Sequence, residues 1–231
     1  MAPARNSKPA SPVSHTGASS GLLRRLAYSL RMQMMILRPW VILLAAGGAS
    51  RYGRPKQLAR LDGQTLLRRA ARLAAAVAPG RTVVVLGARA ATLRRELQGL
   101  PVQPVHNRRW REGLATSLAA GVRALPRGAR AGLVLLADQA ALMPEDLEGL
   151  IAAWRRHPRS ITAAQAGDWR GPPVILPRRC FGRLLRLRGD AGARSLLQDP
   201  AETVLTVPMP NAATDIDVPA DLRRLRDGQP R

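Results

Sequence analysis

Two kinds of apolar pattern alternate along most of this chain. Uninterrupted apolar runs, such as 40–45 and 82–86, are typical of strands buried on both faces of a parallel sheet. Apolar residues at every third or fourth position indicate amphipathic helices. We predict strands over 40–45, 82–86, 102–106, 132–137, 161–165, 174–176 and 203–207, and helices over 64–77, 91–97, 114–125, 144–156, 191–197 and 219–226. This order predicts a three-layer α/β/α sandwich with a Rossmann-like, mostly parallel sheet.

The first 39 residues do not follow this alternation. Residues 1–20 are rich in Ser, Pro and Ala without an apolar period, which predicts disorder, and residues 21–38 carry leucines at roughly helical spacing. The segment is basic, without the continuous apolar run of a secretory signal, and a transit or membrane-surface role is one interpretation. We favour the other, an over-long gene start with translation beginning at Met32, Met34 or Met35. We therefore divide the chain into an extension, 1–39, and a domain, 40–231.

Composition excludes several classes of protein. The single cysteine, Cys180, excludes an intramolecular disulfide and indicates a reducing compartment, so we expect a cytoplasmic protein. Three scattered histidines provide no Cys/His zinc site. The net charge of +22 suggests nucleic acid, but the arginines spread over helix faces without interleaved aromatic residues. We expect neither a nucleic-acid partner nor a membrane partner, because the arginine excess has the character of a general compositional bias.

One lysine stands out against this arginine background. Of the 37 basic residues only Lys8 and Lys56 are lysine, and Lys56 follows a glycine-rich stretch directly after the first predicted strand. Such a stretch allows backbone N–H groups to approach phosphate oxygens, and Lys56 and Arg51 add positive charge. A compact ammonium and a planar guanidinium are not interchangeable at phosphates. We interpret Lys56 as a phosphate-binding residue; the alternative is a solvated surface lysine.

Two aspartates are candidate metal ligands. Asp138 follows the fourth predicted strand, and ligands bind beyond the carboxyl ends of strands in open α/β sheets. Near the C-terminus, Asp215 and Asp217 lie one residue apart, so an extended backbone directs only one of them into a site, and we choose Asp217. Mg²⁺ uses one or two carboxylates together with substrate phosphates. The alternative role of both residues is to cap the helix that follows.

Weaker candidates lie in three further segments. Ser117, at the start of a predicted helix, is a candidate to bind a base, and its alternative role is helix capping. Gly192 and Arg194 open another predicted helix and suit an anionic substrate. Gly171 and Pro172 precede a predicted strand, where we expect a substrate loop.

Together these motifs resemble the nucleotidyltransferases of the molybdenum-cofactor group over most of the chain, from about residue 41 to 225. The Leu44-Ala45-Ala46-Gly47 run up to Lys56 is similar to the nucleotide-binding signature of that family. Its Ala-Ala-Gly form, with the Gly-Asp-Ala-Gly-Ala-Arg run over 189–194, is most similar to the cytidylyltransferase branch. The resemblance implies a nucleotidyltransferase-type fold. It also implies nucleotide contacts from Leu44, Ala45, Ala46, Gly47, Gly48, Arg51, Lys56 and Ser117, a Mg²⁺ site at Asp138 and Asp217, and catalytic roles for Lys56 and Arg51.

The activity implied is transfer of CMP from CTP to the phosphate of molybdopterin, with release of pyrophosphate and with a molybdenum hydroxylase as the client protein. A guanylyltransferase or a sugar- or alditol-phosphate nucleotidyltransferase is the close alternative. A non-catalytic factor that binds the cofactor and delivers it to a molybdenum hydroxylase is the alternative from another class. The sequence motifs favour the cytidylyltransferase.

Overall fold

The computed structural model describes residues 38–48, 55–214, 216 and 219–226. Its strands, numbered along the chain, are β1 Trp40–Ala45, β2 Arg60–Leu61, β3 Gln64–Thr65, β4 Thr82–Leu86, β5 Gln103–His106, β6 Ala131–Leu136, β7 Ile161–Ala166, β8 Trp169–Pro177 and β9 Val204–Pro208. Its α-helices are α1 Leu66–Val77, α2 Ala90–Glu96, α3 Leu114–Ala124, α4 Pro144–Arg156, α5 Phe181–Leu184, α6 Arg194–Leu197 and α7 Pro219–Arg226. The predicted extension over 1–39 lies outside the described residues except for Arg38 and Pro39.

Seven strands form one sheet in the order β5-β4-β1-β6-β8-β7-β9. β1 pairs in parallel with both β4 and β6, β4 with β5, and β7 with β9. β8 runs antiparallel to its neighbours β6 and β7. The predicted mostly parallel sheet is therefore confirmed, with β8 as the reversed strand.

Helices cover both faces of the sheet because successive residues of a strand point to opposite sides. In β1, Val41, Leu43 and Ala45 belong to an apolar cluster that includes buried residues of α1 and α4. Ile42 and Leu44 belong to a second cluster, which includes Leu118 of α3 and residues of α5 and α6. The predicted three-layer sandwich is confirmed. None of the described helices is long and apolar enough to cross a bilayer.

The order in which strands are added to the sheet reverses between β1 and β6, and this reversal positions the site. From β1 the chain passes through α1 to β4 on one side of β1, and β6 lies on its other side. The connections leaving neighbouring parallel strands then diverge, which opens a crevice beyond their carboxyl ends. The residues after Ala45 and after Leu136 line that crevice.

The structure differs from the predicted elements in several places. The segment predicted as a substrate loop, including Gly171 and Pro172, lies inside β8, where a bulge between Ala163 and Ala164 of β7 adjusts the pairing. The helix predicted over 191–197 is the four-residue α6, because the preceding residues pack against the start of α3. The helix predicted over 64–77 begins only at Leu66, because Gln64–Thr65 form β3 and the Thr65 side chain caps the helix. The β2–β3 hairpin and α5 were not predicted, since two-residue strands and a single helical turn leave little periodic signal.

Candidate functional site

A cavity of about 420 Å³ opens beyond the carboxyl ends of β1 and β6. Its lining comes from the end of β1 and the glycines after it, the turn that begins at Lys56, the start of α3, the end of β6, and one aspartate from a distant loop. The lining residues are Leu44, Ala45, Ala46, Gly47, Gly48, Lys56, Gln57, Trp110, Arg111, Gly113, Leu114, Ser117, Leu136, Ala137, Asp138 and Asp190.

A lysine on one side of the cavity and an aspartate on the other form an ion pair. Lys56 begins a 3₁₀ turn over Lys56–Leu58, and its ammonium forms an ion pair with the Asp138 carboxylate. The two side chains are 22% and 17% exposed, so the pair is partly shielded from water yet open to the cavity. Partial shielding strengthens the interaction of both charges with an ionic ligand.

Glutamines follow both members of this ion pair and were not predicted from the sequence. Gln57 donates hydrogen bonds from Nε2 to the carbonyls of Ala45, at 3.4 Å, and Gly47, at 2.8 Å. Gln139 donates from Nε2 to the carbonyls of Pro172, at 2.7 Å, and Ala212, at 2.9 Å. Both side chains are buried. Gln57 holds the backbone at the end of β1, and Gln139 holds the backbone of β8 and of the turn that contains Ala212.

Ser117 lies on the first turn of α3 and faces the cavity. It is buried, and Asn107 donates from Nδ2 to its hydroxyl oxygen at 3.0 Å and to that of Thr116 at 2.9 Å. A hydroxyl has one donor and two acceptor positions. Because Asn107 uses an acceptor position of Ser117, the hydroxyl hydrogen can be donated toward the cavity.

Trp110 forms a side wall of the cavity through close contact with the glycine-rich segments. A Cβ atom on Gly87 would lie 2.5 Å from the Ala46 carbonyl oxygen and 2.6 Å from Trp110 Cβ, so only glycine fits there. The guanidinium carbon of Arg111 lies 4.6 Å from the centroid of a Trp110 ring. The aromatic wall and a cationic group are thus held together at the edge of the cavity.

An ion pair stabilises the turn that carries Trp110. Arg109 contacts Glu112 through Nε at 2.8 Å and Nη2 at 2.5 Å. The hydrogen bond from Arg109 lowers the pKa of Glu112, and the same bond raises the pKa of Arg109. Both residues therefore stay charged around neutral pH, and their ion pair spans the turn over Trp110–Glu112.

The loop between α5 and α6 completes the cavity from a distant part of the chain. The amide of Ala115 donates to the Gly189 carbonyl at 3.0 Å, and the amide of Leu114 donates to Asp190 Oδ1 at 3.4 Å. Gly113 has a φ of 105°, and a Cβ atom there would lie 2.3 Å from the Gly189 backbone. This close approach brings Asp190 to the start of α3.

The structure brings together most of the residues that the sequence analysis selected. Predicted nucleotide contacts and one predicted metal ligand share the cavity: Leu44, Ala45, Ala46, Gly47, Gly48, Lys56, Ser117 and Asp138. Arg51 and Asp217 lie outside the described residues, and their roles remain predictions. The four weaker candidates do not line the cavity: Gly171, Pro172, Gly192 and Arg194.

Those four residues contact or neighbour parts of the site instead of the cavity itself. Gly171 packs against Trp169 inside β8, the Pro172 carbonyl accepts from Gln139, and Arg194 is exposed at the start of α6. Gly192 packs against Leu114. The sequence analysis selected the right segment around Gly189 but missed Asp190, because only the docking of the loop on α3 brings that residue to the cavity.

The donor groups at the cavity suit a divalent cation that also binds substrate. No cluster of three Asp, Glu, His or Cys groups able to hold a metal alone occurs in the described part of the chain. Asp138 presents its carboxylate to the cavity and already pairs with a positive group, the Lys56 ammonium. Hard oxygen ligands of this kind suit Mg²⁺ or Mn²⁺, with the remaining positions filled by water and phosphate oxygens.

A doubly wound α/β sandwich with a charged, glycine-lined cavity at its switch point is typical of nucleotide-binding enzymes. The chain belongs to the family of the MobA-like NTP transferase domain, whose model matches residues 41–204. It is similar to the purine catabolism protein PucB of Bacillus subtilis, with 30% identity over 198 residues that cover 80% of this chain and 94% of that protein. It is a nucleotidyltransferase.

Solved structures of similar proteins have the same fold. The crystal structure of Rv0371c from Mycobacterium tuberculosis is 27% identical and superposes with a TM-score of 0.71, over 82% of this chain and 99% of that one. A second crystal structure of Rv0371c, in complex with manganese, is 26% identical with a TM-score of 0.67, over 82% of this chain and 98% of that one. The fold expected from the sequence resemblance is therefore confirmed.

Proposed function

We propose that this nucleotidyltransferase transfers CMP from CTP to the terminal phosphate of molybdopterin, with release of pyrophosphate. The observation that carries the proposal is the single cavity that joins the Leu44-Ala45-Ala46-Gly47 strip, the Ser117 hydroxyl and the Lys56–Asp138 ion pair. One end of such a cavity suits a base and the other suits phosphates and a metal.

The choice of CTP is supported by the alanine at position 46. Ala46 lies in the cavity wall and is 6% exposed, and its carbonyl accepts from the Ala88 amide at 3.2 Å, which fixes its backbone. We assign the discrimination against a larger purine base to the Ala46 methyl group, which a glycine at this position would lack. One methyl group in a pocket discriminates between ligands by about 10-fold or more.

The phosphates of CTP are assigned to Lys56 and Arg51. Lys56 lines the same cavity as Gly47 and Gly48. Because glycine has no side chain, phosphate oxygens can approach the backbone N–H groups of these two residues. Its ammonium can move from Asp138 to a phosphate because the lysine side chain has several rotatable bonds. Arg51 falls in the same signature between Gly48 and Lys56.

Asp138 and Asp217 are assigned to Mg²⁺. The amide of Ile216 donates to the Asp138 carbonyl at 3.2 Å, and Asp217 is the next residue in the sequence. The assignment of Asp217 is supported by its place in the sequence, where the family resemblance implies the second metal ligand. When bound, Mg²⁺ supplies charge neutralisation at the phosphate oxygens of the substrate.

The protein groups then act by positioning and charge. The acceptor phosphate is already anionic at neutral pH, so the transfer needs no general base; its oxygen forms a bond to the α-phosphorus as the bond to pyrophosphate breaks. Lys56 stabilises the negative charge on the triphosphate, and the glycine strip and Ser117 hold the nucleotide for in-line attack.

The client of the product is proposed to be a molybdenum hydroxylase. PucB, which resembles this chain over most of its length, carries the name of a purine catabolism protein. An enzyme of purine oxidation is accordingly the first client class to test.

Nucleotide choice is the first test of this proposal. Purified protein is titrated with CTP, GTP, ATP and UTP in Mg²⁺ at fixed salt, and the unfolding midpoint is followed. We expect selective stabilisation by CTP, because stabilisation grows with ligand affinity for the folded state. The response should be lost in Lys56→Ala and Asp138→Ala and should spread toward GTP in Ala46→Gly.

Equal responses to all four nucleotides, or no response, would contradict the assignment to CTP. Selective stabilisation by CTP leads to the second experiment, an anaerobic assay with molybdopterin that measures pyrophosphate release. Release of pyrophosphate with a sugar phosphate but not with molybdopterin would instead support the sugar-phosphate alternative.

A further inference from the structure

Both members of the Lys56–Asp138 ion pair are followed in the chain by a buried glutamine. Gln57 is 4% exposed and Gln139 is 3% exposed, and each uses its amide nitrogen to bind two backbone carbonyls. The two glutamines hold different segments. The hydrogen bonds beside Lys56 and those beside Asp138 therefore come from two different side chains.

Gln57 connects the lysine to the glycine-rich strip. Its amide hydrogens are directed to the carbonyls of Ala45 and Gly47, on either side of Ala46. These bonds fix the strip against the turn that begins at Lys56. Its Oε1 atom is buried without a hydrogen-bond donor among the described residues, so the side chain acts here only as a donor.

Gln139 connects the aspartate to two later parts of the chain. Its amide hydrogens reach the Pro172 carbonyl in β8 and the Ala212 carbonyl in the turn before Ile216, and its Oε1 accepts from the Leu136 amide at 3.4 Å. The Ile216 amide adds a bond to the Asp138 carbonyl. Gln139 therefore ties the end of β6 to β8 and to the turn over Pro210–Ala213.

We propose that the two glutamines are positioning residues with separate tasks: Gln57 orients the Ala45–Gly47 backbone and Lys56 for the nucleotide, and Gln139 orients Asp138 for the divalent cation. This inference rests on the proposed assignment of Asp138 to the metal. Outer groups that orient metal ligands commonly contribute 10- to 100-fold to metal affinity. The proposed contacts of Ala45–Gly47 with the nucleotide come from the backbone. The orientation of this backbone therefore determines the nucleotide affinity.

The experiment compares Gln57→Met and Gln139→Met, which keep side-chain length and remove the amide. The first measurement is the Kd of the preferred nucleotide in EDTA. The second is the Kd of Mn²⁺ for the protein–nucleotide complex, from the electron paramagnetic resonance signal of free Mn²⁺ with nucleotide-only binding subtracted. The nucleotide is whichever of the four triphosphates stabilises the wild type most, so a wrong base assignment does not void the comparison.

We expect a crossed result. Gln57→Met should weaken nucleotide binding in EDTA about 10-fold and change Mn²⁺ affinity less than 3-fold. Gln139→Met should leave nucleotide binding in EDTA within 3-fold and weaken Mn²⁺ affinity about 10-fold or more. Gln165→Met is the matched control, because among the described residues its side-chain amide donates only to the Gly167 carbonyl in its own turn, at 3.0 Å; neither constant should change.

Asp138→Asn separates the failure of this inference from the failure of the proposed function. If Asp138→Asn leaves Mn²⁺ affinity unchanged, or if no triphosphate binds the wild type, the proposed site is wrong and the inference falls with it. If Asp138→Asn weakens Mn²⁺ binding while Gln139→Met does not, only the inference is overturned.

A purely structural role for the glutamines predicts another pattern. Both variants would then lower the unfolding midpoint while the two Kd values stay at wild-type level or change together, and either result would overturn the inference. If a Met variant does not fold, the matching Gln→Asn variant, which keeps the amide on a shorter side chain, should show the same crossed pattern with smaller changes.

Discussion

Ion pairs lie at both ends of the parallel strands, which we call the carboxyl edge and the amino edge of the sheet. The two edges differ in what surrounds these ion pairs. Lys56 and Asp138 meet at the carboxyl edge, beside a cavity of about 420 Å³. At the other edge, where β8 ends and β9 begins, Arg179 and Arg183 bind Glu202 at 2.6 and 2.8 Å. The Glu202 side chain is 4% exposed and has a cationic partner for each carboxylate oxygen.

The comparison teaches that the surroundings of an ion pair, and not its charge alone, distinguish a binding site from a structural contact. Glu202 is enclosed by its own partners, so its charge is already neutralised within the protein. The Lys56–Asp138 pair opens onto the cavity, where an ionic ligand can contact both charges. Changes at the edge that holds Glu202 should therefore affect stability, and changes at the edge that holds Lys56 and Asp138 should affect catalysis.

The largest expected effect is on turnover at Lys56. Lys56→Ala should lower kcat by about 10²-fold or more, since it removes a preorganised charge directed at the transition state. The free energy of unfolding should fall by less than about 1 kcal/mol, because partly exposed ion pairs contribute little. Steady-state assays of pyrophosphate release and urea unfolding measure the two quantities.

Lys56→Arg is the informative companion in a chain where almost every other basic residue is arginine. It keeps the charge but replaces a compact ammonium with a planar fork, so we expect a kcat between those of Lys56→Ala and wild type. A Lys56→Ala enzyme with near wild-type turnover would contradict the role of Lys56 and remove the contrast between the two edges.

The second prediction concerns stability at the opposite edge. Glu202→Gln should lower the free energy of unfolding by about 2 kcal/mol, because the buried Glu202 carboxylate binds both Arg179 and Arg183, and among the described residues only Arg183 keeps a second acidic partner, Asp199. Turnover at a temperature well below the unfolding midpoint should match wild type. Loss of turnover without loss of stability would show that this edge also takes part in catalysis.

The two edges also differ in how well the sequence predicts them. The strands that end at the cavity, β1 and β6, were predicted at or within one residue of their observed bounds, because buried parallel strands read as continuous apolar runs. Asp138 and the glycine-rich residues after Ala45 were found because they follow those strands directly, and Lys56 because it is one of only two lysines and ends the same glycine-rich stretch. The resemblance to a known family then related them to a nucleotide.

What the sequence did not reveal depends on contacts between distant segments. Trp110 reaches the cavity through contact with Gly48 and Gly87, and Asp190 reaches it through the docking of its loop on α3. Gln139 holds carbonyls 33 and 73 residues away. The Glu202 network likewise joins α5 and its preceding turn to the start of β9. No local period or spacing encodes such contacts.

The smallest expected effect is a pH dependence at Asp199, the second acidic group at the edge that holds Glu202. The Ala201 amide donates to Asp199 Oδ1 at 2.8 Å, and this bond, followed by that from Arg183, lowers the pKa of Asp199. A carboxyl whose pKa is lower in the folded state stabilises the protein above its unfolded pKa and loses that contribution as the pH falls through the folded value. The stability difference between wild type and Asp199→Asn should therefore be constant near neutrality and shrink as the pH drops below about 4. Urea unfolding at a series of pH values measures it. A difference that stays the same down to the acid limit would mean that the hydrogen bonds of Asp199, and not its charge, stabilise this edge, whereas the Lys56–Asp138 edge would still depend on charge for catalysis.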